Sequence, residues 1–226
     1  LRISRAPECT LLGDSLNVID DIEGQIRRSR FPNMGADEEL NDLRVSDLIS
    51  PANLQVNPGA NTIRIVLRNS GQNIVTAGTI TYRVNNGIPV TTPIPGTFSI
   101  APCDTMHVTL TNVNCTFGSN VIAFYTGSPN GSADINPTND TITRTFCSII
   151  PAGTYTIGGT SPTYVTITAA VNHLNCGGIS GPVVFNIRPG IYNESVMINT
   201  IAGSSALNTV TFQSESGTAT AVVTRS

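Results

Sequence analysis

Short segments in which apolar and polar residues alternate run through the middle of this 226-residue chain and constrain its fold most strongly. In residues 62–68, Ile63, Ile65 and Leu67 occupy every second position, and Arg64 and Arg68 fall on the opposite face. Because successive side chains of a β-strand point to opposite faces, this pattern predicts a strand with one buried face. Similar segments lie at 79–84, 105–111, 120–126 and 140–146, and shorter ones contain Leu43 with Val45 and Leu54 with Val56. About seven such strands, separated by turn residues, predict an all-β Greek-key sandwich.

Two local signals refine this prediction. Asn85-Asn86-Gly87 predicts a tight turn, because Asn and Gly tolerate a positive φ. Four apolar residues near the other end of the chain fall at helical spacing and predict one short cap helix near 166–175: Ile167, Ala170, Val171 and Leu174. The β-branched start of this segment would also suit a strand. In the helical interpretation, His173 falls on the exposed side.

The composition favours an extracellular protein and argues against two other classes. Only 12% of the residues are charged, about half the usual share for soluble domains. The net charge of −3 argues against a nucleic-acid partner, which needs a clustered positive surface. No apolar stretch approaches the roughly 20 residues of a membrane span. We therefore expect a protein that is secreted or exposed outside the cell.

The cysteines give one topological prediction. No two of the five form a C-x-x-C pair, so the usual zinc-site spacing is absent. The predicted strands at 105–111 and 140–146 run in the same direction, since one strand lies between them. Cys115 and Cys147 follow these two strands and should lie at the same end of the sandwich. A Cys115–Cys147 disulfide is therefore favoured, with five unpaired thiols as the alternative.

Candidate chemistry is concentrated in one loop. Asp134, Asn136, Asn139 and Asp140 are close together in sequence and offer oxygen ligands suited to Ca²⁺. The loop lacks the alternation and the final Glu of an EF-hand, and Asx-turns that lead into the last strand explain the same residues. We expect no other cofactor. No histidine has a nucleophile or carboxylate partner at a recognisable spacing, so we predict no catalytic residues and no enzymatic activity.

Four stretches of the middle segment carry a family resemblance: 41–47, 63–71, 101–106 and 130–140. The most specific is the approach to the last strand, in which Asn130-Gly131 is followed by the Asp and Asn residues of the candidate calcium loop. Residues 41–147 resemble the bacterial cell-adhesion-related Ig-like domain, CARDB. The resemblance implies that the sandwich is Ig-like and that it belongs to a surface protein.

Both ends of the chain carry a second resemblance. Residues 1–40, with Asp-Ile-Glu-Gly at 21–24, resemble the closing end and linker of a right-handed parallel β-helix of the pectin-lyase-like kind. Residues 148–226 resemble the cap helix and first coils of another such β-helix, which would be truncated here. Their stretches at 181–194 and 208–215 suit a solenoid turn of about 25 residues. The resemblances thus imply an Ig-like sandwich flanked by partial parallel β-helix segments.

These observations predict a non-catalytic extracellular module of a large bacterial cell-surface protein, acting as a spacer or adhesion module. Its expected partners are the neighbouring β-helix domains of the same polypeptide, with surface glycans or other cell-surface proteins as further candidates. One alternative is a carbohydrate-binding module, although the chain has no Trp and only 5% aromatic residues. Another is an accessory part of a β-helix polysaccharide lyase or hydrolase whose catalytic coils lie outside this sequence.

Overall fold

The computed structural model describes residues 41–217 and 221–224 and confirms an all-β chain with one short helix. Its contacts divide the described residues into two units. The first unit contains 41–50, Thr62–Thr111 and Val121–Arg144; the second contains Pro51–Asn61, Asn112–Asn120, 145–217 and 221–224. The β-helix end predicted at 1–40 lies outside the described residues. The predicted domain boundaries therefore stay predictions.

Among the described residues, a 3₁₀ turn (Pro129–Gly131) lies between strands of the first unit. The helix α1 spans Ile167–Gly177. The strands are β1 (Leu43–Ser50), β2 (Gln55–Val56), β3 (Gly59–Asn69), β4 (Thr79–Val84), β5 (Val90–Pro93), β6 (Thr105–Cys115), β7 (Ser119–Gly127), β8 (Thr141–Ser148), β9 (Gly153–Ile157), β10 (Val183–Ile187), β11 (Gly190–Asn193), β12 (Val210–Ser214) and β13 (Ala221–Thr224).

Strands β1 to β8 form the two sheets of a β-sandwich. One sheet has the order β1-β3-β6 and the other has the order β2-β8-β7-β4-β5. The β1–β3, β4–β5 and β4–β7 pairs are antiparallel, whereas β2 pairs with β8 in parallel. All of the strands predicted from alternation are confirmed. The additional strand β5 escaped prediction because its four residues are all exposed, which leaves no alternating pattern to detect.

Inward-facing apolar residues form the core of the first unit. Among the described residues, eight of them are completely buried: Leu43, Ile63, Ile65, Leu67, Val75, Ile80, Ile122 and Phe124. The Thr126 hydroxyl in β7 donates a hydrogen bond to the Leu43 carbonyl in β1. The predicted turn is also confirmed, because Asn85 and Asn86 have positive φ and the Gly87 amide donates to the Val84 carbonyl at 2.8 Å.

In the second unit the strands run parallel and in register. β10 pairs with β9 on one side and with β12 on the other, with no register shift in either pair. β11 and β13 form a second parallel pair. Asn186 and Gln213 are register partners 27 positions apart, and the Gln213 side-chain amide donates to Asn186 Oδ1 at 2.9 Å. Equivalent side chains therefore stack from one strand to the next.

Four aromatic rings of the second unit contact one another in succession, and we call them the aromatic column. Its members are Phe117, Tyr155, Phe185 and Phe212. Successive ring centroids lie 5.6, 5.9 and 4.7 Å apart. Because Phe185 is the register partner of both Tyr155 and Phe212, the parallel pairing itself sets the rings above one another.

Helix α1 confirms the helical interpretation of residues 166–175. The predicted apolar face is buried in the core of the second unit. Thr166 caps the helix, since its hydroxyl accepts a hydrogen bond from the Ala169 amide at 3.0 Å. The Glu194 carboxylate accepts from the next two free amides, those of Ile167 and Thr168, at 3.2 and 2.6 Å. A negative charge at this end also matches the helix dipole.

The predicted Cys115–Cys147 disulfide is wrong. Cys147 is bonded to Cys176, with the Cα atoms 5.7 Å apart, whereas Cys115 is a buried free thiol. The topological argument located strand ends but did not assign strands to sheets, and Cys115 ends β6 in the sheet opposite to β8. The end of α1 instead meets β8, where Gly177 packs against the Ser148 carbonyl so closely that a Cβ would collide with it. This contact places Cys176 beside Cys147.

Candidate metal centre

Three aspartates of the first unit bring their carboxylates together, and we call Asp42, Asp134 and Asp140 the aspartate cluster. One carboxylate oxygen from each lies within 4.8 Å of the other two. Asp42 directly precedes β1, Asp140 directly precedes β8, and Asp134 lies in the loop between β7 and β8. The Val45 amide donates to the Asp140 carbonyl at 3.3 Å, which brings β1 beside the start of β8.

Hydrogen bonds orient two of these carboxylates. The amides of Leu43 and Asn136 donate to Asp134 Oδ2 and Oδ1, at 2.8 and 2.9 Å. The Asn139 side-chain amide donates to Asp42 Oδ2 at 2.9 Å. Backbone amides of β1 and of the loop between β7 and β8 therefore orient Asp134, and the Asn139 side chain orients Asp42.

Burial has the largest effect on the pKa values of Asp134 and Asp140 in the cluster. Asp140 is only 5% exposed, and its Oδ1 accepts no hydrogen bond. This burial, with the negative charges of Asp134 and Asp42, raises the pKa of Asp140 to about 7. Burial also raises the pKa of Asp134, although the two backbone amides oppose the effect. Within the described residues, neither Asp134 nor Asp140 forms an ion pair with a basic side chain.

The structure brings together some of the loop candidates and separates others. Asp134 and Asp140 are both in the cluster, and Asn139 lies beside it with a buried Oδ1 that accepts no hydrogen bond. Asn136 is occupied differently, since its Oδ1 accepts from the Thr138 hydroxyl at 2.7 Å. The backbone amide of Asn136 donates to Asp134 Oδ1 and so closes an Asx-turn, the alternative explanation that the sequence left open. Calcium binding itself stays a prediction.

Sequence reasoning missed Asp42. This residue is far from the loop in sequence, and only the antiparallel sandwich brings it there. A weak signal was available, because Asp42 directly precedes the predicted strand that contains Leu43, and Asp140 begins the strand predicted at 140–146. If the first and last strands of the sandwich start at the same end, these two carboxylates meet.

A second buried polar group joins β8 to α1. His173 is buried, which corrects the expectation that it faces solvent. Its Nε2 lies 2.8 Å from the Ser148 carbonyl, and its Nδ1 lies 2.7 Å from the Tyr164 hydroxyl. A carbonyl only accepts, so Nε2 carries the proton and Nδ1 accepts from Tyr164. Because Ser148 is fully buried, the arrangement has no accessible nucleophile and is structural.

This neutral histidine predicts a pH dependence of stability. Burial lowers the pKa of His173, although its hydrogen bond with the Ser148 backbone opposes the shift. The unfolded chain therefore binds a proton near pH 6.5 that the folded chain does not, and the contribution of His173 to stability falls as the pH drops through this range. Burial raises the pKa of the adjacent Tyr164, so its hydroxyl stays protonated.

We expect the melting temperature of His173→Gln, relative to that of the wild type, to rise as the pH falls from about 7.5 to about 5.5, because only the wild type loses the contribution of His173 over this range. His107→Gln is the matched control, because His107 is exposed, and it should keep the wild-type slope. Carboxylates titrate equally in all three proteins, so the comparison isolates His173. Equal slopes for wild type and His173→Gln would contradict the assignment.

No protein-family model matches the chain, and no curated protein matches it. Among solved structures, the CARDB domain of a Pyrococcus furiosus protein, determined in complex with di-metal ions, is similar over 50% of this chain and 91% of its own. Its sequence identity is 18% and the TM-score is 0.37. A domain of a Methanosarcina acetivorans protein, described as a cell surface protein, covers 49% of this chain and 93% of its own, with 22% identity and a TM-score of 0.39. No helix in the described part of the chain is long and apolar enough to cross a membrane.

Proposed function

We propose that this chain is a non-catalytic module of a bacterial cell-surface protein and that it acts as a spacer. In this proposal the sandwich stands between parallel β-helix domains of the same polypeptide, which are its principal partners. The Cys147–Cys176 disulfide supports a location outside the reducing cytoplasm. The proposal predicts that the module carries no substrate site of its own.

The observation that carries the proposal is the in-register parallel pairing of β9, β10 and β12 around the aromatic column. Strands that recur at similar intervals and stack equivalent side chains are the repeating element of a solenoid. Each further coil adds length along one axis, which suits a part that separates its neighbours.

The polar clusters support a structural role in the same way. The aspartate cluster is largely buried, and the serine beside His173 is fully buried. General acid–base or nucleophilic catalysis needs groups within hydrogen-bond reach of a bound substrate. These groups instead hold strands and loops in place.

Surface display tests the spacer function directly. The whole chain is inserted between a cell-surface anchor and a small peptide tag on bacteria that carry a thick polysaccharide layer. We expect an antibody to label the tag more strongly than when a Gly/Ser linker of equal residue number replaces the chain, because such a linker behaves as a coil. No gain over the linker would contradict the spacer function.

A second experiment distinguishes a spacer function from an adhesion function. Cells that display the chain without a tag are expected to bind glycan arrays and other bacteria no better than cells with the anchor alone. Binding above this level would favour an adhesion or carbohydrate-binding module over a passive spacer.

A further inference from the structure

We propose that Asp42, Asp134 and Asp140 bind one Ca²⁺ ion in the first unit, with Asn139 as a candidate fourth oxygen ligand. This inference is independent of the spacer function, since it concerns an ion site in the sandwich. It rests on the geometry of the cluster, on a buried carboxylate that lacks a partner, and on the chemistry of the donors.

The geometry allows one ion to contact all three carboxylates. Calcium binds oxygen at about 2.3–2.6 Å, so two ligands on opposite sides of the ion lie about 5 Å apart. The three carboxylate oxygens are within 4.8 Å of one another. The site is also largely preformed, because backbone amides orient Asp134 and because Asp42 and Asp140 adjoin the ends of strands.

The second observation is the state of Asp140. Asp140 is almost inaccessible, and its Oδ1 accepts no hydrogen bond from the part of the chain that the structure describes. A buried carboxylate oxygen without a partner is unfavourable, and two further carboxylates stand beside it. A divalent cation would supply the missing interaction and offset the shared negative charge.

Asn139 strengthens the site. Its amide nitrogen contacts Asp42 Oδ2, while its own Oδ1 is buried without a hydrogen-bond donor. Rotation of the amide by half a turn exchanges the two atoms and directs the oxygen toward the cluster, with loss of the hydrogen bond from the Asn139 nitrogen to Asp42 Oδ2. The buried side-chain oxygen of Asn139 would then bind the ion.

The donors select the metal. All of them are oxygens, which hard cations prefer, and neither thiolate nor imidazole is present to favour zinc or copper. Magnesium demands near-ideal octahedral geometry and usually keeps several waters, whereas calcium accepts irregular sets of carboxylate and carbonyl oxygens. Three carboxylates from two separate parts of the chain therefore suit Ca²⁺ better than Mg²⁺.

Equilibrium dialysis of the whole 226-residue chain against ⁴⁵Ca²⁺ tests the proposal. After treatment with a chelator, the chain should bind one ion with a Kd of about 0.1–1 mM, the range of extracellular calcium modules. Calcium, and to a lesser extent magnesium, should raise the melting temperature. Absence of saturable binding at millimolar Ca²⁺ would overturn the proposal.

Variants identify the site. Asp140→Asn keeps the shape and removes the buried charge, so the metal-free variant should melt no lower than the metal-free wild type. It should weaken Ca²⁺ binding by about 100-fold or more, since even outer-sphere partners of a metal change affinity by about 10–100-fold. Asp47→Asn removes an exposed carboxylate and is the matched control, with binding unchanged. If Asp140→Asn binds Ca²⁺ like the wild type, the aspartate cluster is not the site.

Discussion

Phe185→Ala is expected to lower the free energy of unfolding of the second unit by about 3–5 kcal/mol, the usual cost of emptying a buried phenylalanine site. Phe185 is fully buried in the middle of the aromatic column. Its ring stacks on Phe212 at 4.7 Å, and it also contacts Tyr155 and Tyr164. The rings around it are held by three hydrogen-bonded strands, so they are poorly placed to close the cavity.

Urea denaturation followed by circular dichroism measures this loss. Phe117→Ala is the matched control, because Phe117 ends the same column and is 38% exposed. Its truncation removes less buried surface and opens no enclosed cavity, so a clearly smaller loss is expected. Similar losses for the two variants would mean that the column does not organise the core of the second unit.

Removal of the Cys147–Cys176 disulfide has the second large expected effect. The bond closes a loop with a sequence separation of 29 residues. On the chain-entropy account, such a cross-link stabilises the folded state by about 3–4 kcal/mol. The Cys147→Ala, Cys176→Ala double variant should lose about this amount, measured by denaturant unfolding without reductant.

Cys115→Ala provides the comparison for the double variant. It removes a buried thiol without breaking a cross-link, so its loss reflects packing alone and should be much smaller. If the double variant lost no more than Cys115→Ala, the disulfide would contribute little to the stability of the second unit.

Local patterns in the sequence predicted most of the secondary structure. Alternation in 62–68 predicted the core of β3, and Asn85-Asn86-Gly87 predicted the turn before β5, because both signals act between neighbouring residues. The apolar spacing from Ile167 to Leu174 predicted α1 for the same reason. The parallel strands of the second unit are consistent with the β-helix resemblance, but a β-helix domain remains part of the proposal.

The sequence-based predictions that failed concern features that depend on contacts between residues far apart in the sequence. The disulfide was mispredicted because strand direction does not determine which sheet a strand joins. His173 was misplaced because helical spacing identifies the apolar face but not a polar residue that finds partners on β8. Asp42 was missed because the loop sequence contains no information about which remote strand packs beside it. Only the assembled fold supplies these relations.

The buried thiol of Cys115 allows local opening of the native chain to be measured. Burial raises its pKa, and a side-chain hydrogen bond with Asn61 only partly opposes the effect. An alkylating reagent reacts with the thiolate, so alkylation of Cys115 requires the end of β6 to open. The rate of alkylation in native buffer would then report the free energy of that opening rather than of global unfolding. The chain thus contains an intrinsic probe of fluctuations at a strand end that equilibrium denaturation averages away.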